Sequence, residues 1–214
     1  MRRRSRREAR VTAYKLCSLA LQYPDEELLA ARGELAAAAA ALPHSPAADA
    51  IQRFMAWWVP ASGLEVAEHY VETFDLKRRC GLYLTFYGLG DRRERGQALL
   101  RLRRLYRAAG LPQEGSELPD YLPLMLEFCA HAPDRRGEQL LREQRPALEL
   151  LRAALHEEGT PYAHPVEAVA QLLGAPASVD RARAARLAAQ GPPGEMVGLE
   201  PFAPPEVMPG EAMR

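Results

Sequence analysis

The sequence predicts a single all-α domain, an antiparallel helical bundle with a disordered C-terminal tail. Three observations carry that expectation. Segment after segment repeats its apolar residues at intervals of three and four. Capping and breaking residues separate those segments at helix-sized intervals. No run shows strict apolar/polar alternation or a hairpin signal, and no fixed-period repeat is present. With 214 residues, 48% hydrophobic, the chain is long enough to bury one sizeable core.

Residues 1–10, MRRRSRREAR, read as a basic flexible arm. Ser5-Arg6-Arg7 has the look of a twin-arginine export signal. The stretch that follows carries Tyr14, Lys15 and Gln22 and has no small-residue cleavage site, so the arm reading is preferred. The helical body is placed at residues 11–175. Val11, Tyr14, Ser18 and Leu21 form its first stripe. Pro24-Asp25-Glu26-Glu27 restarts a helix, with acids at the positive end of the dipole, and alanine-rich 34–41 continues it. Pro43 to Pro46 breaks the chain, and a helix from about Ala47 to Trp58 stops at Pro60. The adjacent Trp57 and Trp58 point about 100° apart, so one packs and one sits at an edge. Ser62 and Glu65 make a capping box for a helix carrying Val66, Tyr70 and Phe74.

Asp75 is expected to open another helix, with Leu76, Cys80, Tyr83, Leu84 and Tyr87 on one face and Leu82, Phe86 and Leu89 on another. Glycines 88 and 90 would end it. Asp91 is expected to cap the next helix, which repeats Leu99, Leu102, Tyr106 and Ala109 and closes at Gly110 and Pro112. After a loop at 113–118, Asp120 would cap a helix with Pro123 in its first turn. Residues 134–157 read as a helix pair, or as one helix kinked near Pro146. Pro165 to Leu173 is shorter, and 176–190 is a candidate terminal helix. The six prolines and four glycines of 191–214 leave no periodicity, hence the disordered tail.

Several function classes find no support. Lys+Arg and Asp+Glu both number 28, so no net charge draws the chain to nucleic acid or membrane. No apolar run approaches the ~18–20 residues of a bilayer span. Cys17, Cys80 and Cys129 are scattered and form no CxxC, so neither a zinc site nor a disulfide framework is implied. Neither GxxxxGK[ST] nor GxGxxG occurs, and HExxH is missing. Cys129 and His131 stand two apart and diverge on a helix. No catalytic constellation, metal site or bound cofactor is expected. The arginines between Arg92 and Arg107 lie opposite a leucine stripe and read as a solvated face.

The run Tyr70-Val71-Glu72-Thr73-Phe74-Asp75, then Leu82-Tyr83-Leu84-Thr85-Phe86-Tyr87, then Gly90-Asp91-Arg92-Arg93-Glu94-Arg95-Gly96, resembles the NarJ type of respiratory nitrate reductase assembly chaperone. So does Glu117-Leu118-Pro119-Asp120-Tyr121-Leu122-Pro123 with Leu126-Glu127-Phe128. The resemblance covers roughly Val11 to Leu173. The wider TorD/DmsD-like redox-enzyme maturation superfamily carries Glu-x-Pro-Asp-His. Here Glu117, Pro119 and Asp120 match and Tyr121 replaces the histidine, so the histidine's role does not transfer.

The resemblance implies a TorD-like helical fold and a cytoplasmic, non-enzymatic chaperone. It would bind the N-terminal segment of the nitrate reductase catalytic subunit and hold it for molybdenum cofactor and iron–sulfur insertion before membrane docking. The cofactor would belong to the client. Another molybdoenzyme of the superfamily is an alternative client, and a helical nucleic-acid adaptor is the rival class. Monomer and dimer both stay open.

From the residues, a client helix would lie in a groove between the helices around Leu76–Tyr87 and Tyr121–Phe128. Leu82, Tyr83, Phe86, Tyr87, Tyr121 and Leu124 are the candidate lining. Asp75, Glu117 and Asp120 would meet basic residues, Arg78, Arg79 and Arg92 acidic ones, and Asp91 is a further peptide-binding candidate. Three or four anchors at ~1.5–3 kcal/mol, less the ordering of the peptide, give micromolar to high-nanomolar affinity. The competing reading makes these aromatics core and leaves Asp91 and Asp120 as helix caps.

Overall fold

The computed structural model describes residues 2–90, 92–132 and 135–190. Its helices are α1 (Arg2–Ala20), α2 (Glu26–Ala30), α3 (Arg32–Ala40), α4 (Pro46–Trp58), α5 (Gly63–Tyr70), α6 (Phe86–Leu89), α7 (Arg93–Ala108), α8 (Leu122–His131), α9 (Arg136–Glu143), α10 (Arg145–Glu157), α11 (Ala163–Leu173) and α12 (Ser178–Gln190). Among the described residues there is no strand, and the fold is all-α. The expected tail, 191–214, lies outside the described residues.

Local chemistry sets many of the boundaries. The Asp25 carboxylate accepts from Leu28 N at 2.8 Å and starts α2. Ser45 caps α4 with Pro46 in its first turn. The capping box on α5 is complete: Ser62 Oγ accepts from Glu65 N at 3.2 Å, and Glu65 Oε2 accepts from Ser62 N at 2.8 Å. Helices α9 and α10 meet at Gln144, with Pro146 in the first turn of α10.

The core forms where α1 packs on α8 and α11, and α4 on α3 and α11. Ser18 Oγ, fully buried, donates to the Pro123 carbonyl at 2.8 Å and ties α1 to the start of α8. Around Tyr162, 1% exposed, gather Phe54, Trp57, His69, Tyr70 and Phe74, with ring centroids 4.9–5.8 Å away. Trp58 is buried and Trp57 half-buried, as their angular separation requires. The three cysteines are free thiols, Cys17 and Cys80 buried and Cys129 half-buried.

His69 belongs to that aromatic cluster, its Nε2 2.8 Å from Thr160 Oγ1. Burial holds its pKa below the ordinary 6.5, and burial does the same to His164. The folded state resists protonation at these rings, so the unfolded chain takes up the protons first. Their contribution is present above about pH 6.5 and is lost as pH falls through the depressed folded values. The melting temperature is expected to fall between about pH 7 and pH 5. His69→Gln should flatten that fall in thermal scans, and an unchanged slope would count against it.

Three expectations need correction. The basic arm is helical: α1 includes residues 2–10, and Arg4 Nε reaches Glu8 Oε1 one turn on at 2.9 Å. The helix expected from Asp75 to Gly88 does not form. Val71–Asp75 is a π turn, Arg78–Cys80 a 3₁₀ turn, and only Phe86–Leu89 is α-helical. Lys77 and Gly81 are extended, and residues 82–84 run along the start of α8 instead. Finally, Asp120 is not a helix cap. The α8 N-cap is Tyr121, which makes no side-chain capping bond.

Candidate functional site

The Glu-x-Pro-Asp-Tyr segment lies beside residues 82–85. Leu84 N donates to the Asp120 carbonyl at 3.1 Å, and Leu122 N donates to the Leu82 carbonyl at 2.8 Å. Tyr83 and Tyr121 thereby face each other as an isolated antiparallel bridge, rings 5.4 Å apart. Leu82 and Leu84 turn inward at 3% and 1% exposure, while Tyr83 turns out. Period two therefore governs this stretch, which explains why helical spacing mislabelled it.

Asp120 is fully buried. Its Oδ2 accepts from Thr85 N at 3.2 Å and from Thr85 Oγ1 at 2.5 Å, and lies 3.5 Å from Arg95 Nη2. The Arg95 guanidinium also stacks over Phe86, 5.4 Å from the ring centroid. Tyr106 Oη donates to the Pro119 carbonyl at 2.6 Å. Glu117 Oε1 accepts from Tyr83 Oη at 3.1 Å and from Leu118 N at 2.7 Å. The hydroxyls of Tyr121 and Tyr70 are 3.1 Å apart, and both approach the Leu21 carbonyl. The motif is thus a lock joining the 111–121 loop, the 82–85 segment, the end of α5 and the end of α1. Burial first, and Glu117 second, push the Tyr83 phenol pKa up, so it remains a donor.

A second cluster lies where α6 meets α10. Phe86 and Tyr87 are half-buried and line a cleft of about 220 Å³ with Arg78, Arg79, Leu150 and Ala154. Tyr87 Oη donates to the carbonyls of Arg79 and Gly81 at 2.8 and 3.0 Å, which anchors the ring beside this cleft. Arg79 is bound by Glu157 and Glu158 at 3.0 and 3.4 Å, and Lys77 by Glu158 at 2.6 Å. A further cleft of about 360 Å³ runs along the start of α10, between Leu84, Leu89, Ala98, Gln144 and Ala147. Residues 144, 147, 150 and 154 recur at three and four, so one face of α10 borders both clefts. The 13 residues of α10 make this face about 20 Å long at 1.5 Å per residue.

The candidate residues therefore do not converge on one groove. Leu82 is core. Asp120 is sealed inside and cannot meet a peptide. Leu124 borders a separate cavity of about 400 Å³ with Tyr106, Leu111, Phe128 and His131. Asp75 and Arg92 are exposed, Arg92 as the N-cap of α7. Asp91 lies outside the described residues. Tyr83, Glu117 and Tyr121 stay together at the lock, and Arg78, Arg79, Phe86 and Tyr87 at the α10 face. Sequence reasoning missed Thr85 and Arg95, which complete the lock, and Leu150 and Ala154, which face the aromatics. The 144/147/150/154 spacing was the available signal for the last two.

Among the described residues no three His, Cys, Asp or Glu side chains are grouped to hold a metal. No described helix is long and apolar enough to cross a membrane.

The model of the nitrate reductase delta subunit family matches residues 28–168, which take in α3 to α10, the 82–85 and 111–121 segments of the lock and about half of α11. The nitrate reductase-like protein NarX of Mycobacterium tuberculosis is 38% identical over 158 residues, 73% of this chain but 23% of NarX, so the chain spans about a quarter of that relative. The probable nitrate reductase molybdenum cofactor assembly chaperone NarJ of Bacillus subtilis is 31% identical over 81% of this chain and 96% of its own length. The NarJ of Escherichia coli K12, named a nitrate reductase molybdenum cofactor assembly chaperone, is 35% identical over 69% of this chain and 64% of its own length. The NarJ-type resemblance of the 70–96 and 117–128 segments is borne out, and the chain belongs to the nitrate reductase delta subunit family.

Proposed function

We propose that this chain is a cytoplasmic, non-catalytic chaperone for molybdenum cofactor assembly in a nitrate reductase. It binds the N-terminal segment of the catalytic subunit as an amphipathic helix. It holds that subunit for molybdenum cofactor and iron–sulfur insertion before membrane docking, and the cofactor is the client's. The names of the relatives in B. subtilis and E. coli support the assembly role.

The observation that carries the binding mode is the half-buried Phe86–Tyr87 pair facing the α10 stripe, about 20 Å long, in a body whose other aromatics are mostly sealed. A helix laid there buries its apolar side against the aromatics. Tyrosine suits such a wall, offering an apolar ring with its hydroxyl already satisfied. Arg79, Glu157 and Glu143 at the borders supply charges of both signs to fix direction.

Calorimetry with a synthetic peptide from the start of the cognate catalytic subunit tests this. Binding is expected in the micromolar to high-nanomolar range. Phe86→Ala should weaken it about tenfold or more, the loss of one buried aromatic anchor. No heat beyond dilution from folded protein would refute the reading.

A further inference from the structure

The α10 face is already occupied, by the chain's own last described helix. Helix α12 lies against α10, and its Leu187 borders both clefts. A Cβ added at Gly88 would stand 4.0 Å from Leu187 Cδ2, so α12 also reaches α6. Its 13 residues span about 20 Å, the length of the stripe beneath it.

The fit is poor for a permanent partner. No described side chain of 178–190 is fully buried, and the buried core ends at Leu173. Ala184 and Leu187 are its only half-buried apolar side chains, while Val179 is 53% exposed. The side chain contacts at its start are local: Ala177 N donates to Asp180 Oδ2, and Arg181 to the Pro176 carbonyl. Gly174, at φ +81°, ends α11 and frees the connection from the helix before it. Clefts of about 360 and 220 Å³, open to solvent, border Leu187, so the small side chains of α12 leave this seam incompletely filled. The charge pattern completes the picture. Arg183 and Arg186 of α12 line the same cleft as Glu143.

We infer that α12 is a displaceable latch, an internal stand-in that covers the α10 groove until a basic amphipathic helix with bulkier apolar anchors replaces it. This inference rests on the client reading above and adds a competitor to it. The incoming helix fills the clefts that alanine leaves empty and meets Glu143 in the cleft where Arg183 and Arg186 now lie. A released α12 frays, because 13 residues without tertiary support make a marginal helix. The competition lowers apparent affinity by the fraction of chains already open.

The test uses the full chain, wild type and Leu187→Glu, with the client peptide and hydrogen exchange. In wild type, peptide addition is expected to speed exchange in 178–190 while it protects α10. Leu187→Glu should tighten peptide affinity about tenfold. Peptide that binds both proteins equally, with exchange in 178–190 unchanged, overturns the latch and leaves the client reading standing. Absence of binding by both overturns the client reading, and a second arm then judges the latch alone. Without peptide, Leu187→Glu should remove exchange protection from 178–190 and keep the melting temperature of the body. A melting temperature that falls with it makes α12 an integral part of the core and ends the proposal.

Discussion

Gly137→Ala is expected to destabilise the fold by about 3 kcal/mol, the upper part of the range for forcing extra volume into a packed interior. Gly137 sits in the first turn of α9, buried against α8. A Cβ built there stands 2.4 Å from Cys129 Cα and 2.8 Å from both its N and its Sγ. Two of those atoms are backbone, so no rotamer change relieves the clash and α9 must move away from α8. That shift also pulls Glu138 from its place. Its carboxylate, 5% exposed, takes the guanidiniums of Arg10, Arg135 and Arg142, joining α1 to α9. For a chain of this length the melting temperature should drop by about 6–12 °C. Urea unfolding checks it, and stability within a few tenths of a kcal/mol of wild type would contradict the close helix approach.

Asp120→Ala is expected to have a comparable effect, about 3–4 kcal/mol, because it removes one partner from a buried charged cluster. The Thr85 amide and hydroxyl lose their acceptor, and Arg95, 15% exposed, loses the carboxylate 3.5 Å away. Thr85→Val removes only the hydroxyl bond to the buried carboxylate and should cost less, about 1.5–2.5 kcal/mol. The ordering of the two is the informative result. If Asp120→Ala weakened peptide binding while leaving the melting temperature intact, the lock would instead be a contact site. The Glu-x-Pro-Asp-Tyr signature thus has a structural explanation for its acid. Asp120 holds the segment that delivers Phe86 and Tyr87 to the α10 face. On the client reading proposed above, the motif would act through positioning, with Phe86 and Tyr87 just after Thr85.

The sequence by itself determined the fold class and most helix positions, because those depend on near neighbours. The Ser62–Glu65 capping box spans three residues, as do Asp25 with Leu28 and Ser45 with Ala48. The helix break between 134 and 157 followed from Pro146 and the packed/edge pairing of Trp58 and Trp57 from the helical angle. The stretch from 75 to 90 did not follow. Its apolar residues satisfy a helical and a two-residue period at once, and the choice rests on hydrogen bonds to residues 120 and 122, 35 or more positions away. The same distance hid the role of Asp120, whose local setting before Pro123 reads as a cap until Thr85 and Arg95 arrive beside it. Only tertiary packing could separate Leu82, Leu124 and Tyr87 into core, side cavity and groove, and only it could lay α12 over the last. Local pattern fixes which helices exist; which faces stay uncovered is a property of how they meet.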